Sequence, residues 1–167
     1  MKAVVLLLLL IPMTIFSQNS ELSMFDNLVD KKWKAEGTWE NGTIFKQEIE
    51  INYSLDRMIV LTNSKGFIDK EQIKFGLRNH GIRMFDKKSD SVKFWEFDIF
   101  GELTEGVVLS IEKNIIYQYA YGNSFLTEMW EYVNDSTYNF KIGSYENGVW
   151  KKLYLTTQFI EITADGN

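Results

Sequence analysis

From Phe45 onward the chain changes sides at every residue. Phe45, Gln47, Ile49, Ile51 and Tyr53 alternate with Lys46, Glu48, Glu50 and Asn52, so an extended backbone shows one largely apolar row and one charged row. Comparable segments follow at about 57–63, 71–79, 82–86, 92–99, 104–112, 115–121, 125–133, 137–145 and 149–162. Turn chemistry separates them. Asn41-Gly42 and Asn147-Gly148 favour the positive φ angles of tight hairpins. Ser64-Lys65-Gly66, His80-Gly81, the stretch 86–91, Glu112-Lys113-Asn114, Gly122-Asn123-Ser124 and Asn134-Asp135-Ser136 supply the rest. Trp39-Glu40-Asn41-Gly42 is echoed by Tyr145-Glu146-Asn147-Gly148, which predicts one hairpin solution used twice.

Connections this short join only antiparallel neighbours, because a parallel crossover takes a dozen or more residues. A long run of consecutive hairpins is a meander, and a meander of this length hides its edges by closing on itself. The expected fold is therefore all-β, an antiparallel up-and-down barrel of about 9–10 strands, in preference to a two-sheet sandwich. Residues 18–30 precede it as a short arm. There Leu22, Phe25, Leu28 and Val29 fall at helical spacing, enough for one or two turns. No compositional break divides residues 18–167, which read as a single domain.

Ahead of that domain, Lys2 and the apolar run from Ala3 to Ile11 lead into Pro12-Met13-Thr14-Ile15-Phe16-Ser17-Gln18. The run is shorter than the roughly 20 residues a membrane-spanning helix needs, and it reads as a cleavable export signal over residues 1–17. The expected location is periplasmic or secreted, in a bacterium, with nothing spanning the membrane once the signal is gone. An outer-membrane barrel is excluded on the pattern, since Lys46, Glu48 and Glu50 would share a lipid-facing row. The chain carries 18 Lys and Arg against 23 Asp and Glu, a formal net charge of −5. An acidic balance opposes general nucleic-acid binding, which relies on clustered cations. With no Cys, packing alone must hold the domain, and thiol chemistry is excluded.

Leu28-Val29-Asp30-Lys31-Lys32-Trp33-Lys34-Ala35-Glu36-Gly37-Thr38-Trp39 resembles the opening of lipocalin-like (calycin) proteins, in particular bacterial exported families of unknown function. Ser54 to Val60, Phe94 to Gly101 and Glu146 to Lys152 resemble that family's second strand, mid-barrel strand and final hairpin. The resemblance implies a short helix leading to a first strand whose Trp plugs one barrel end. Trp33 has the spacing from Leu28, while Gly37-Thr38-Trp39 supplies the Gly-x-Trp tripeptide, so both Trp33 and Trp39 are plug candidates. Some related small barrels bind haem through a His near the end of the chain. The only His here is His80, in mid-chain, and no cofactor is implied.

No catalytic constellation stands out. His80 reads as an exposed turn residue. Glu96 and Asp98 share a strand face at i, i+2, a spacing that suits an acid–base or Ca²⁺ pair. The expected orientation puts them in solvent, with Trp95, Phe97 and Ile99 as core. Tyr117, Tyr119 and Tyr121 share one face, Trp130 and Tyr132 share another with Glu128, and Tyr138, Phe140 and Ile142 form a third. Such stripes fill a small barrel or line a pocket for an apolar or planar ligand. Polar residues on apolar rows narrow the second use: Gln47 between Phe45 and Ile49, Glu128 beside Trp130, and Arg57 before Met58, with Arg57 and Glu128 as possible mutual partners. The candidate wall is thus Gln47, Arg57, Trp95, Tyr117, Tyr119, Tyr121, Glu128, Trp130 and Phe140. The expected function is non-enzymatic binding of a small hydrophobic or amphipathic molecule. The alternatives are a solid-core structural or protein-interaction module of the cell envelope and an acid–base enzyme using Glu96, Asp98 or His80.

Overall fold

The computed structural model describes residues 21–163, so the expected export signal and the start of the arm lie outside the described residues. Ten strands run in chain order: β1 Lys31–Thr38, β2 Ile44–Ser54, β3 Ile59–Phe67, β4 Phe75–Asp86, β5 Ser91–Asp98, β6 Leu103–Ile111, β7 Asn114–Tyr121, β8 Ser124–Asn134, β9 Thr137–Glu146 and β10 Val149–Glu161. Each pairs antiparallel with the next, and β10 returns to β1, where Trp33 faces Glu161 and Lys34 faces Ile160. The result is a closed up-and-down barrel, the architecture that the alternation demanded.

Alternation sorts the side chains. On β1, Lys32, Lys34 and Glu36 point outward while Trp33 and Ala35 are buried. Register then sets Glu36 opposite Lys46 and Lys32 opposite Glu50, and both pairs form ion pairs, at 2.7 and 3.6 Å. Among the described residues no helix is long and apolar enough to cross a membrane.

Two turns were misplaced by sequence reasoning. His80-Gly81 is no turn but the middle of β4, which joins the later part of the segment expected at 71–79 to the one expected at 82–86. Gly81 is there for space: a Cβ would collide with Arg83, Glu96 and Thr62 inside the barrel. Ser64-Lys65-Gly66 likewise belongs to β3, with a register shift opposite β4 between Ser64 and Lys65. The true β3–β4 connection is residues 68–74, where Asp69 Oδ1 accepts the amides of Ile73 and Lys74 at 3.0 and 2.9 Å. The expected repeat of one hairpin also separates into two solutions. Asn147 and Gly148 both have positive φ (52° and 80°) in a two-residue loop. In the five-residue loop after β1 only Gly42 does, and Gly42 N–H bonds the Trp39 carbonyl at 2.9 Å.

The arm closes one end. It folds as a 3₁₀ turn, Ser23–Phe25, and buries Leu22, Phe25 and Leu28 almost completely. Trp33 lies beneath with no exposed surface, its indole N–H bonded to the Leu28 carbonyl at 3.0 Å and its ring edge-on to Tyr138. Trp130 stacks on Phe159 with centroids 4.1 Å apart, and Phe140 meets Phe159 edge-on. Of the two plug candidates, Trp33 occupies the sealed end. Trp39 sits at the other end, half-buried beside Phe45.

Candidate functional site

Aromatic packing fills the barrel only near the arm. Beyond it lies a cavity of about 450 Å³ that extends toward the end carrying Trp39 and the β3–β4 loop. Phe45, Ile49, Phe94, Trp130, Phe140 and Ile142 give it apolar walls, and Gln72 belongs to its rim. The Gln72 side chain both donates to the Ile44 carbonyl (2.7 Å) and accepts from the Ile44 amide (3.1 Å), which holds the β3–β4 loop to the start of β2.

A belt of charge crosses this apolar space. Arg83 of β4 is buried, and every nitrogen of its guanidinium is engaged. Nη2 pairs with Glu96 Oε1, Nη1 donates to Thr62 Oγ1 at 2.7 Å, and Nε donates to the Tyr117 hydroxyl at 3.3 Å. Burial works against the Arg83 charge, but the Glu96 carboxylate beside it prevails and holds the guanidinium above its ordinary pKa. The Tyr119 hydroxyl donates to Glu128 Oε1 at 2.6 Å. Burial pushes the Glu128 carboxyl up and Glu96 adds to this, while the Tyr119 hydrogen bond and Arg83 pull the other way. Burial also raises the Tyr119 hydroxyl, with Glu128 reinforcing it.

Two carboxyl oxygens of the belt are uncommitted. Glu96 Oε2 is buried with no hydrogen-bond partner. Glu128 lines the cavity, and among the described residues its sole hydrogen bond is the one from Tyr119, made through Oε1. A buried acceptor without a donor costs about 1–3 kcal/mol. Glu128, which lines the cavity with Oε2 uncommitted, is the group set to receive a donor from whatever enters.

The structure brings six of the nine expected wall residues together at the cavity: Gln47, Tyr117, Tyr119, Glu128, Trp130 and Phe140. The other three lie elsewhere. Trp95 faces outward, its indole donating to Glu105 at 3.1 Å, because strand parity opposes it to inward Phe94 and Glu96. Tyr121 is 63% exposed at the end of β7. Arg57 lies in the exposed β2–β3 turn, paired with Asp26 and stacked over Tyr53, so Glu128 is not its partner. The expected orientation of β5 is thereby reversed: Glu96 points in, and Phe97 and Ile99 are exposed. Asp98 accepts the amides of Phe100 and Glu102 in the next turn, and His80 sits on the outer face against Asn63. Glu96, Asp98 and His80 do not converge.

Arg83 is the residue that sequence reasoning missed. Its signal was its parity, since Gly81, Arg83 and Phe85 alternate with His80, Ile82 and Met84, but the turn assigned to His80-Gly81 cut that row. For Glu96 the signal was Phe94 on the same face.

No family model and no curated protein sequence matches the chain. Among solved structures it is similar to the S-type phycobiliprotein lyase CPES from Guillardia theta, at 9% identity and a TM-score of 0.46, over 85% of this chain and 92% of that one.

Proposed function

We propose that this protein is an exported, calycin-like, non-enzymatic barrel that holds one small amphipathic molecule. The cavity carries the reading: about 450 Å³ of space with aromatic and aliphatic walls, crossed by a cluster of buried polar groups. Most small-molecule sites share that composition, an apolar lining that supplies affinity and a few fixed polar atoms that orient the ligand. Support for the calycin likeness comes from the closed meander and from the arm that seals one end over Trp33. Support for export comes from the apolar run between Lys2 and Pro12.

The test is native mass spectrometry on protein purified from its own host, together with uptake of the neutral probe N-phenyl-1-naphthylamine. A bound mass in the low hundreds of daltons, displaced as the probe enters, is the expected result. Absence of both bound mass and probe uptake would leave a solid structural or protein-interaction module as the better reading.

A further inference from the structure

The polar belt has a sign. Its one cation, Arg83, already donates from each guanidinium nitrogen, to Glu96, Thr62 and Tyr117. Two of its acceptors are uncommitted: Glu96 Oε2 is buried and unpartnered, and the Glu128 carboxyl reaches the cavity with one oxygen engaged by Tyr119. A fatty acid brought to this wall would set a carboxylate against two carboxyl groups; the other cations that line the cavity, Lys46, Lys65 and Arg78, lie on the strand ends at the open mouth, the lysines paired with Glu36 and Glu48. A neutral hydroxyl would satisfy one acceptor. A protonated amine would satisfy up to three hydrogen bonds beside the uncommitted Glu128 oxygen, with the aromatic side chains of Trp130 and Tyr119 also lining the cavity.

We infer that the cavity selects a small primary amine on an apolar body, with Glu128 as the group that meets the ammonium and Glu96 as a second acceptor behind it. The inference rests on the cavity being a binding site and specifies the ligand class for it. Arg83 then has a positioning role: it neutralises Glu96 and fixes its carboxylate, so that the belt accepts one further positive charge rather than two. Charge-assisted hydrogen bonds are about twice as strong as neutral ones, which sets the expected discrimination.

Three ligands that share one ten-carbon chain provide the test: decylamine, decan-1-ol and decanoate, titrated at pH 7.5 below their aggregation limits by calorimetry. Decylamine is expected to bind about 10- to 100-fold tighter than decanoate, with decan-1-ol between them. The isosteric variant Glu128→Gln is expected to lose about 10-fold or more in decylamine affinity and several-fold less in decan-1-ol affinity, so that the amine preference collapses. Decanoate binding as tightly as decylamine would overturn the inference, and the wild-type series reads this without any variant. An amine preference that persists in Glu128→Gln would overturn it as well. Either result leaves the cavity a binding site for another ligand class, whereas failure of all three to bind removes that reading and the inference with it.

Discussion

A guanidinium inside a barrel is stable only in company. Arg83 and Glu96 are both removed from bulk water, and each compensates the desolvation of the other. Removing one partner strands the other, so Arg83→Met should cost about 3–5 kcal/mol, read as a lower urea midpoint. Replacing both, as Arg83→Met with Glu96→Leu, should restore most of that loss; a double variant as weak as the single would show that the pair is not the unit. Glu128 makes the opposite case, a carboxyl held above its ordinary value of 4.5 by burial first and then by Glu96, with Tyr119 and Arg83 opposing. The folded protein binds this proton more tightly than the unfolded chain does. Its contribution to stability is therefore complete below the ordinary value and is lost as pH rises through the higher folded one. Glu128→Gln keeps the uncharged shape and removes that loss, so its urea midpoint should exceed the wild type's at pH 8 and approach it at pH 4. A gap of equal size at both values would contradict this. The residue proposed to meet the ligand is then one that the empty fold would do better without, a trade common at functional sites.

Elements show where strand and turn signals compete. The β2–β3 connection sets Leu55, Asp56 and Arg57 successively at positive φ (49°, 54° and 65°), a conformation that costs an L-residue roughly 1–2 kcal/mol. External contacts hold it: Arg57 pairs with Asp26 of the arm and stacks on Tyr53, whose hydroxyl reaches the Leu22 carbonyl and the Asp26 carboxylate at 2.8 Å each. Asp56 is exposed, so Asp56→Gly relieves backbone strain at little packing cost and should raise stability by about 0.5–1 kcal/mol. Asp56→Ala should not, and calorimetry on the two variants separates the effects. The same competition explains what was legible in the chain. Period-two rows identified most strands, because inside and outside differ sharply in Lys46, Glu48 and Glu50 against Ile49 and Ile51. The count holds through two compensating differences: β1 shows in the sequence only through a family likeness, and the alternation splits β4 into two pieces. Gly81 and Gly66 look like punctuation in one dimension. In three they are sites where something else needs the room, and only register reveals what. That one misplaced turn also hid Arg83, and with it the reason that Glu96 points inward. The Tyr117 and Tyr119 stripe and Glu128 needed no partner across the sheet to be identified, so they were visible from the start.

At the scale of the whole molecule, the barrel divides its interior into two functions. The end under the arm is packed, with Trp33, Trp130 and Tyr138 in mutual ring contact and Phe159 stacked on Trp130. The other half is hollow. Packing one half anchors all ten strands, because each strand runs the length of the barrel, and this permits the other half to forgo contacts without opening the sheet. A ligand that enters the hollow restores those contacts and binds only the folded state, so it should stabilise the protein by about 2.7 kcal/mol at a hundredfold excess over its Kd. Thr104 tests whether that gain arises inside. It lines the cavity on β6, directly across the ladder from Glu96. Thr104→Phe would place a ring over the polar belt. The variant should keep the circular-dichroism spectrum of the barrel, take up N-phenyl-1-naphthylamine about tenfold less well or worse, and lose the ligand-induced rise in melting temperature. That rise is about 5–10 °C for a domain of this size in the wild type. Uptake and stabilisation that survive Thr104→Phe would place the bound molecule on the outer surface, and the hollow half would then be a gap in packing with no guest of its own.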